Sequence, residues 1–254
     1  MRDHVAPAGP RNRLYPEVAA GGFTRHDGFV DFFTRANALL ETEGTVLDFG
    51  AGRGEWADAD LSAYHRRLRD FRASGHRVVG VDVEPAVLKN PTLDEAHVIE
   101  PGARLPFDDA SFDLVVADYV LEHITERDAP SVAAELHRVI RPGGWFAART
   151  PNKWGVIGVG ARIVPNSLHV RVLERLQPGR QAQDVFPTQY HMNTRADLRR
   201  LFKSSQWDLF TYAHASEPQY AGRSVAAWRM AAFLDRITPP PLGPTLMVFA
   251  RRHR

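Results

Sequence analysis

Three glycines at alternate positions, Gly50, Gly52 and Gly54, directly follow a short apolar run. The run is typical of a buried strand in a parallel sheet. Glycine lets the chain turn sharply there and lets backbone N–H groups approach a ligand without an intervening Cβ. Acidic residues stand on both sides of the turn, Asp48 before it and Glu55 after it. A strand, a glycine-rich turn and a following helix together predict a nucleotide-binding corner.

The charges around this turn favour a cationic ligand. A dinucleotide site follows the pattern G-x-G-x-x-G and brings a pyrophosphate against the loop. Here the third glycine comes one place early, and Glu55 occupies the expected position. Carboxylates at Asp48 and Glu55 repel a pyrophosphate and attract the ammonium and sulfonium groups of S-adenosylmethionine (SAM). The glycines by themselves are equally compatible with a tight turn that binds no ligand.

A second apolar run supports the same ligand. Residues 77–83 read R-V-V-G-V-D-V, with Asp82 near the end. In a doubly wound sheet, an acid at the tip of the second strand lies beside the ribose of the ligand and accepts hydrogen bonds from its hydroxyls. The two strand ends together predict a SAM site.

Four motifs in order resemble the class I SAM-dependent methyltransferases, particularly the methyltransferase type 11 group, which includes ubiquinone/menaquinone C-methyltransferases and many small-molecule O-methyltransferases. The motifs span roughly residues 45–151 and read V-L-D-F-G-A-G-R-G, V-V-G-V-D-V, L-P-F-D-D-A-S-F-D-L-V-V-A-D-Y-V-L-E-H-I and L-H-R-V-I-R-P-G-G-W. The resemblance implies a Rossmann-like α/β fold, a doubly wound seven-stranded sheet that is mostly parallel with its last strand antiparallel. It also implies SAM as cofactor and S-adenosyl-L-homocysteine as product, but it does not specify the methyl acceptor.

Cofactor contacts are expected at the carboxyl ends of the strands, where ligands bind in this kind of sheet. Relatives usually place an Asp-Ala pair before the Leu-Pro-Phe motif, and that acid caps the adenine amino group. Pro101 stands near the expected place of the acid, so backbone groups of Ala103 and Arg104 are the predicted adenine contacts. The predicted cofactor-binding residues are Asp48, Gly50, Ala51, Gly52, Glu55, Asp82, Val83, Ala103, Arg104, Leu105, Asp118 and Tyr119.

Methyl transfer from a sulfonium needs no covalent enzyme intermediate and no metal. The enzyme must hold the acceptor in line and, for a hydroxyl acceptor, help to remove its proton. Histidine suits that task near neutral pH, so His123 and His191 are the candidate catalytic bases, and His169 is a weaker one. Asp118 is a third candidate catalytic residue, expected to position the cofactor or the acceptor. Each histidine is also compatible with a structural role, and the spacing of His123, Glu126 and His191 gives little support for a metal site, so no metal is predicted.

Composition fits one soluble α/β domain. The chain has 254 residues, a formal net charge of +2 and no cysteine, which excludes disulfides, thiolate metal sites and cysteine nucleophiles. The weak net charge gives no reason to expect a nucleic-acid partner. The sequence has no apolar run long enough to span a membrane, and the N-terminus lacks the apolar core of a signal peptide. We therefore expect a cytoplasmic enzyme without membrane contact, whose oligomeric state is open.

Periodicity divides this single domain into consecutive parts. Residues 152–189 are rich in Gly and Pro and follow the fifth strand, which is the usual place of a substrate lid in this fold. We expect an irregular N-terminal arm over residues 1–26, a SAM-binding core over 27–151, a lid over 152–193, and C-terminal helices with strands six and seven over 194–254. Apolar patterns predict helices over 28–41, 56–74, 129–140, 194–202 and 221–237, and strands over 46–49, 77–83, 97–100, 112–117, 145–150, 207–212 and 245–250.

The leading functional hypothesis is methylation of a small-molecule hydroxyl, as in a sugar, phenolic or polyketide-type metabolite. Methylation of RNA or protein is an alternative suggested by the arginines of the lid and of residues 251–254, although that tail is expected to be solvated. Methylation of carbon or nitrogen by the same fold is a further alternative. A nucleotide-binding module without catalysis and an NAD(P)-linked oxidoreductase are more distant ones, because Asp48 and Glu55 disfavour a pyrophosphate.

Overall fold

The computed structural model describes residues 10–40, 43–57, 61–155, 188–216 and 224–254. The strands of these segments are β1 Thr45–Phe49, β2 Arg77–Asp82, β3 Glu95–Val98, β4 Phe112–Asp118, β5 Ile140–Pro151, β6 Trp207–His214 and β7 Thr245–Arg252. They form a seven-stranded sheet in the order β3-β2-β1-β4-β5-β7-β6. The strands β1 to β5 run parallel, whereas β7 runs antiparallel to both β5 and β6. The predicted Rossmann-like fold with an antiparallel last strand is confirmed.

Helices cover both faces of this sheet. They are α1 Pro10–Leu14, α2 Gly28–Ala38, α3 Ala63–Arg69, α4 Ala129–Val139, α5 Arg195–Leu201 and α6 Val225–Ile237. Phe32 and Phe33 of α2 pack with Val116 of β4 in the apolar layer on one face. Leu136 of α4 packs with Val115 of β4 in the layer on the other face. Because both faces are buried, the central strands are continuous apolar runs, which is why their positions could be predicted from the sequence.

The start of α2 is fixed by its N-cap residue, Asp27. The Asp27 carboxylate accepts hydrogen bonds from the backbone N–H groups of Phe29 and Val30, at 2.9 and 3.0 Å. A side-chain cap of this kind stabilises a helix by about 1 kcal/mol. The cap holds α2 against the sheet, so that its aromatic residues lie next to the carboxyl ends of the central strands.

The segment after the glycine turn differs from the prediction. A helical stripe was expected from residue 56 to residue 74, with a helix starting directly at the turn. A short 3-10 turn, Glu55–Ala57, follows the glycines, and α3 begins at Ala63, where the Ser62 hydroxyl accepts a hydrogen bond from the His65 N–H at 3.3 Å. The capping residue Ser62 therefore sets the start of α3, and the described residues directly after the glycines form a 3-10 turn rather than an α-helix.

The described part of the N-terminal arm, residues 10–26, forms α1 and a 3-10 turn, Pro16–Ala19. This part differs from the expectation of an irregular arm. The Tyr15 ring is buried between two elements of the body, with its centroid 6.2 Å from that of His26 and 6.4 Å from that of Trp228. Burial of this aromatic ring attaches the arm to the C-terminal part of the domain.

The last residues of the chain also belong to the body. The expected solvated tail over residues 251–254 is wrong for its first part, because β7 continues through Arg252 and the Arg252 guanidinium donates to the Ile140 carbonyl. The His253 backbone N–H donates to the Gln206 carbonyl at 2.9 Å. Within the described segments, none of the helices has both the length and the apolar character needed to cross a bilayer.

Candidate active site

The glycine turn has the conformation that only glycine adopts easily. Gly50, Gly52 and Gly54 have φ angles of +79°, +53° and +76°. A Cβ atom on Gly50 would lie 2.4 Å from a methyl group of Val120, and one on Gly54 would lie 2.3 Å from the Asn90 amide oxygen. A Cβ on Gly52 would meet no described atom within 4 Å. The outer glycines therefore permit close packing, whereas the middle one borders open space that a ligand can use.

Asn90 holds the turn in place, a role that was not predicted from the sequence. Its buried side-chain amide donates to the carbonyl groups of Ala51 and Gly52, both at 3.1 Å. The backbone N–H groups of Gly50 and Ala51 donate to the Val81 carbonyl, at 2.8 and 3.0 Å. The early third glycine has its explanation here, because Gly54 gives room for the Asn90 side chain.

Asp82 lies at the tip of β2, beside the turn, as predicted. One carboxylate oxygen accepts from the Gly52 N–H at 2.8 Å, and the other accepts from the Glu84 N–H at 2.9 Å. In the part of the chain that the structure describes, no cationic side chain forms an ion pair with Asp82. A carboxylate accepts about four hydrogen bonds, so it can still accept from hydroxyl groups of a ligand. The exposed Val83 follows at the same edge.

Asp48 is buried and forms an internal ion pair. Its carboxylate lies 2.7 Å from the Arg69 guanidinium, which itself packs over the rings of Phe33 and Trp56. Burial raises the pKa of Asp48, although Arg69 opposes that rise. The other carboxylate oxygen of Asp48 is buried without a hydrogen-bond partner among the described residues. Arg69 therefore compensates the charge of Asp48 within the protein.

Glu55 has an arginine partner as well. The Arg53 Nε atom donates to its carboxylate at 2.6 Å, and the Glu55 side chain is exposed. Both acids that flank the glycine turn, Asp48 and Glu55, are thus paired with arginines, although the sequence predicted that they attract a cationic ligand. The acid beside the turn that keeps an unpaired charge is Asp82, again within the described segments.

The end of β4 is fixed by a second ion pair. Both carboxylate oxygens of Asp118 accept hydrogen bonds from the guanidinium of Arg149 on β5, one of them at 3.0 Å. Burial lowers the pKa of Arg149, but the Asp118 carboxylate outweighs burial and raises it. The guanidinium lies 5.0 to 5.6 Å from the ring centroids of Tyr119, Phe29, Phe32 and Phe33. A bidentate pair inside an aromatic environment suits Asp118 to positioning the edge of the site.

Tyr119, next along the edge, has an unusual backbone conformation. Its φ angle is +57°, and its N–H donates to the Arg149 carbonyl at 2.9 Å. The side chain is 41% exposed at the carboxyl edge of the sheet. Non-glycine residues in this region cost about 1 kcal/mol or more and concentrate at functional sites. This backbone conformation leaves the Tyr119 side chain exposed at the edge of the sheet where the sequence predicts a cofactor contact.

The two predicted histidine bases lie on segments that touch each other. His123 ends the 3-10 turn Leu121–His123, directly after β4. The Glu122 carbonyl accepts from the backbone N–H groups of Gln189 and Tyr190, at 2.6 and 3.3 Å, which brings the segment with His191 to the same edge. The His191 Nδ1 atom lies 4.0 Å from the exposed Glu126 carboxylate. Across the described residues, no three His, Asp or Glu side chains are grouped so that they could hold a metal.

The Glu122 side chain is part of a buried polar network that was not predicted. Its carboxylate accepts from the Thr150 hydroxyl at 2.9 Å. The Asn193 amide donates to that hydroxyl at 2.6 Å and to the Pro151 carbonyl at 3.0 Å. Burial raises the pKa of Glu122 to about 7. The network ties the two ends of the predicted lid to the end of β4, while residues 156–187 of that lid, including His169, lie outside the described residues.

The predicted adenine contacts differ in their availability. The Leu105 N–H donates to the Glu135 carboxylate at 2.8 Å, and the Leu105 carbonyl accepts from Arg138 at 3.0 Å. Both backbone groups of Leu105 are therefore bonded to α4. The Ala103 N–H donates to the Glu100 carbonyl at 3.2 Å within a turn, and Arg104 is exposed. Contacts of Ala103 and Arg104 with adenine stay predictions.

Comparison with known proteins identifies the core. Residues 47–148, from β1 into β5, match the protein family described as "Methyltransferase domain". This part of the chain is a methyltransferase domain. The resemblance inferred from the four motifs is confirmed, and SAM is the cofactor that it implies.

Curated relatives share this methyltransferase domain. A protein from Mycolicibacterium smegmatis named "Probable S-adenosylmethionine-dependent methyltransferase" is 38% identical over 115 residues, which are 42% of this chain and 38% of the relative. A ubiquinone/menaquinone biosynthesis C-methyltransferase from Burkholderia mallei is 31% identical over 119 residues, 44% of this chain and 45% of the relative. The chain thus spans less than half the length of either relative, and their similarity concerns the domain.

Among solved structures, the cyclase SpnF resembles the whole chain, with a TM-score of 0.54, 18% identity and coverage of 98% of this chain and 97% of that one. At this identity the likeness shows the fold alone. Because a protein named for cyclisation shares the fold, the fold of the methyltransferase domain does not by itself define the reaction.

The residues of the methyltransferase domain fit SAM at two places. Open space borders Gly52, and the neighbouring Asp82 carboxylate has capacity for the ribose hydroxyls. Tyr119 and Val83 are exposed at the same edge of the sheet and provide apolar surface there. Asp48 is buried in its ion pair with Arg69, and its contact with SAM stays a prediction.

Proposed function

We propose that this protein transfers a methyl group from SAM to a hydroxyl group of a small-molecule acceptor, such as a sugar, phenolic or polyketide-type metabolite. The observation that supports the proposal most directly is the shared edge of Gly52, Asp82, Tyr119 and His123. The first two suit a cofactor, and the last two follow the neighbouring strand β4, where an acceptor would meet it. SAM supplies a methyl group that is already activated on a sulfonium.

Asp82 and the glycine turn would hold the cofactor. The Asp82 carboxylate accepts hydrogen bonds from ribose hydroxyls, and the open surface at Gly52 lets the ligand lie close to the backbone. The side-chain amide of Asn90, which donates to the carbonyl groups of Ala51 and Gly52, would hold this surface in place before the ligand arrives. A preformed turn lowers the entropic cost of binding.

His123 would accept the proton of the hydroxyl. Proton removal by a positioned side chain contributes about 100- to 10,000-fold to the rate of such reactions. Asp118 is less suited to this role because Arg149 occupies both of its carboxylate oxygens. His191 lies on the adjoining segment and would serve as a second group near the acceptor. The half-exposed Tyr119 ring would form one wall of the acceptor pocket.

A carbon acceptor is the second candidate. It is favoured by the relative from Burkholderia mallei, whose name describes a C-methyltransferase. Both reactions use the same displacement geometry, so the domain alone does not separate them. A carbon acceptor is distinguished by its product, which carries the methyl group on a new carbon–carbon bond and keeps its hydroxyl groups.

Calorimetry with SAM and S-adenosyl-L-homocysteine tests the cofactor half of the proposal, with NADH as the anionic comparison. We expect both sulfur ligands to bind and NADH not to bind. Folded protein that binds neither sulfur ligand would refute the assignment. Methyl-labelled SAM with a panel of hydroxylated acceptors tests the other half, and label found only on carbon would refute O-methylation.

A further inference from the structure

The helix α6 has four exposed large apolar side chains. Met230, Phe233, Leu234 and Ile237 have exposed fractions of 60%, 57%, 43% and 59%. Their spacing of three, four and seven residues places them on one face of the helix. The opposite face, with the buried Trp228, packs against the body. We call these four residues the apolar face of α6; surfaces of this kind on soluble proteins commonly mark an interaction site.

Further exposed apolar groups lie on the turn that follows α6 and on the segment bonded to that turn. Leu242 lies on the 3-10 turn Pro240–Leu242 that follows α6, and it is 39% exposed. The Asn152 amide donates to the Gly243 carbonyl at 2.8 Å, and its oxygen accepts from the Trp154 N–H at 3.1 Å. Asn152 thus brings the exposed Trp154 to the same turn. Tryptophan prefers the boundary between water and lipid, where its ring is amphipathic.

Two exposed arginines lie on α6 beside the apolar face. Arg229 and Arg236 are exposed on α6, while Asp235, the only acid of that helix, is half-buried on the inward side and has its pKa raised by burial. The helix α1 packs against α6 and adds the exposed Arg13. An apolar face with arginines at its margin is typical of a helix that lies on an anionic surface.

The position of the face relates it to the candidate site. The helix α6 lies in the chain between the end of β6 at His214 and the start of β7 at Thr245. Thr245 pairs with Pro151, the last residue of β5. The connection that contains α6 therefore starts and ends at the carboxyl edge of the sheet, the same edge that carries Asp82 and Tyr119.

We propose that the apolar face of α6 docks on an anionic lipid surface, with the helix axis parallel to that surface. The four side chains enter the boundary of the acyl region, and the arginines contact lipid phosphates. A second copy of the chain fits less well, because the face extends over only about 10 Å of helix, at 1.5 Å per residue. A stable protein interface needs about 800 Å² on each partner. The surface departs from the sequence expectation of no membrane contact, and it does not depend on which acceptor is methylated.

Co-sedimentation of the full chain with vesicles tests the proposal. We expect binding to vesicles of phosphatidylcholine with phosphatidylglycerol, and roughly tenfold weaker binding to phosphatidylcholine alone, because the anionic charge attracts the arginines. The double variant Phe233→Ser, Ile237→Ser should lose binding to both, and Arg229→Gln with Arg236→Gln should lose the preference for anionic lipid. Phe210→Ser, which changes an equally exposed phenylalanine on β6, is the matched control and should bind as the unaltered protein does.

Three results would overturn the proposal: no binding of the unaltered protein to anionic vesicles, unchanged binding of the double variant, or a concentration-dependent dimer that the double variant abolishes. The last result would assign the face to a second copy. Calorimetry with S-adenosyl-L-homocysteine should be unchanged in every variant. It confirms that each variant is folded and keeps the outcome separate from the proposed methyl transfer.

Discussion

Asp118 at the end of β4 and Arg149 on β5 are register neighbours in the sheet, and the arginine binds both oxygens of the carboxylate. The pair is largely withdrawn from water and is enclosed by aromatic rings of α2. A buried charge without a partner of opposite sign strongly destabilises a fold, so each of these two residues compensates the charge of the other. The end of β4, where the sequence predicts the boundary between cofactor and acceptor, is therefore held by a charge pair rather than by apolar packing alone.

Removing the arginine alone should strongly destabilise the fold. Arg149→Met leaves the Asp118 carboxylate without its partner, and the free energy of unfolding should fall by about 3–5 kcal/mol. The double variant Asp118→Asn, Arg149→Met should recover a large part of this loss because no charge is left unpaired. Urea denaturation measures both. A loss below about 1 kcal/mol in the single variant would mean that water reaches the carboxylate and compensates it.

Asp82→Asn should weaken binding of S-adenosyl-L-homocysteine by about 1–3 kcal/mol, because the charged acceptor of the ribose hydroxyls is lost. Asparagine keeps an oxygen that can accept from Gly52, so the glycine turn should stay in place. Glu84→Gln, at the neighbouring exposed acid, is the control and should leave the affinity unchanged. Calorimetry that finds equal affinity for Asp82→Asn and the unaltered protein would place the ribose elsewhere.

The glycines of the turn should respond differently to alanine. Gly52→Ala meets open space and should cost about 1–2 kcal/mol of stability from its φ angle, yet its methyl group should obstruct the ligand. Gly54→Ala collides with Asn90 and should destabilise the fold more than Gly52→Ala does. Thermal unfolding and calorimetry with S-adenosyl-L-homocysteine measure the two effects. Full ligand affinity in a folded Gly52→Ala variant would contradict a ligand next to this residue.

The sequence could predict the placement of those candidate site residues that directly follow a strand. The glycine turn, Asp82 and Asp118 each follow an apolar strand directly, and the strand order then brings their ends to one edge. Arg69, Asn90 and Arg149 were not predicted, because their partners lie 21, 38 or 39, and 31 residues away in the chain. Such pairings depend on how helices and strands pack, which apolar periodicity does not record.

The cofactor was predicted correctly, but the reason given for it holds only in part. Asp48 and Glu55 were expected to make the turn negative, whereas each is paired with an arginine. The identity of an acid in the sequence does not reveal whether a cation from another element neutralises it. Asp82, which has no cationic partner among the described residues, belongs to a motif that is specific in itself. The prediction of SAM therefore does not depend on the charges of Asp48 and Glu55.

Glu122 should make stability depend on pH. Burial raises its pKa to about 7 from an ordinary value of 4.5, so the folded state holds this proton more tightly than the unfolded state. Its contribution is therefore most favourable below about pH 4.5, declines as pH rises, and is lost above about pH 7, by on the order of 3 kcal/mol. Glu122→Gln removes this dependence and keeps an oxygen that accepts from Thr150. Urea denaturation at pH 5 and pH 8 should show a larger decline for the unaltered protein than for the variant; equal declines would show that Glu122 titrates normally.

His123→Ala should separate catalysis from cofactor binding. If the imidazole removes the hydroxyl proton, turnover with a hydroxyl acceptor should fall by about 100- to 10,000-fold, while affinity for S-adenosyl-L-homocysteine should change little, because the ribose and the turn are bound by other residues. His191→Ala tests the neighbouring candidate, and His253→Ala, at an ion pair with Asp208 remote from the carboxyl edge, is the control. Turnover numbers and Michaelis constants measured with methyl-labelled SAM distinguish the roles. Nearly normal turnover of His123→Ala would show that this histidine is structural. A large loss of turnover confined to His191→Ala would identify His191 as the base.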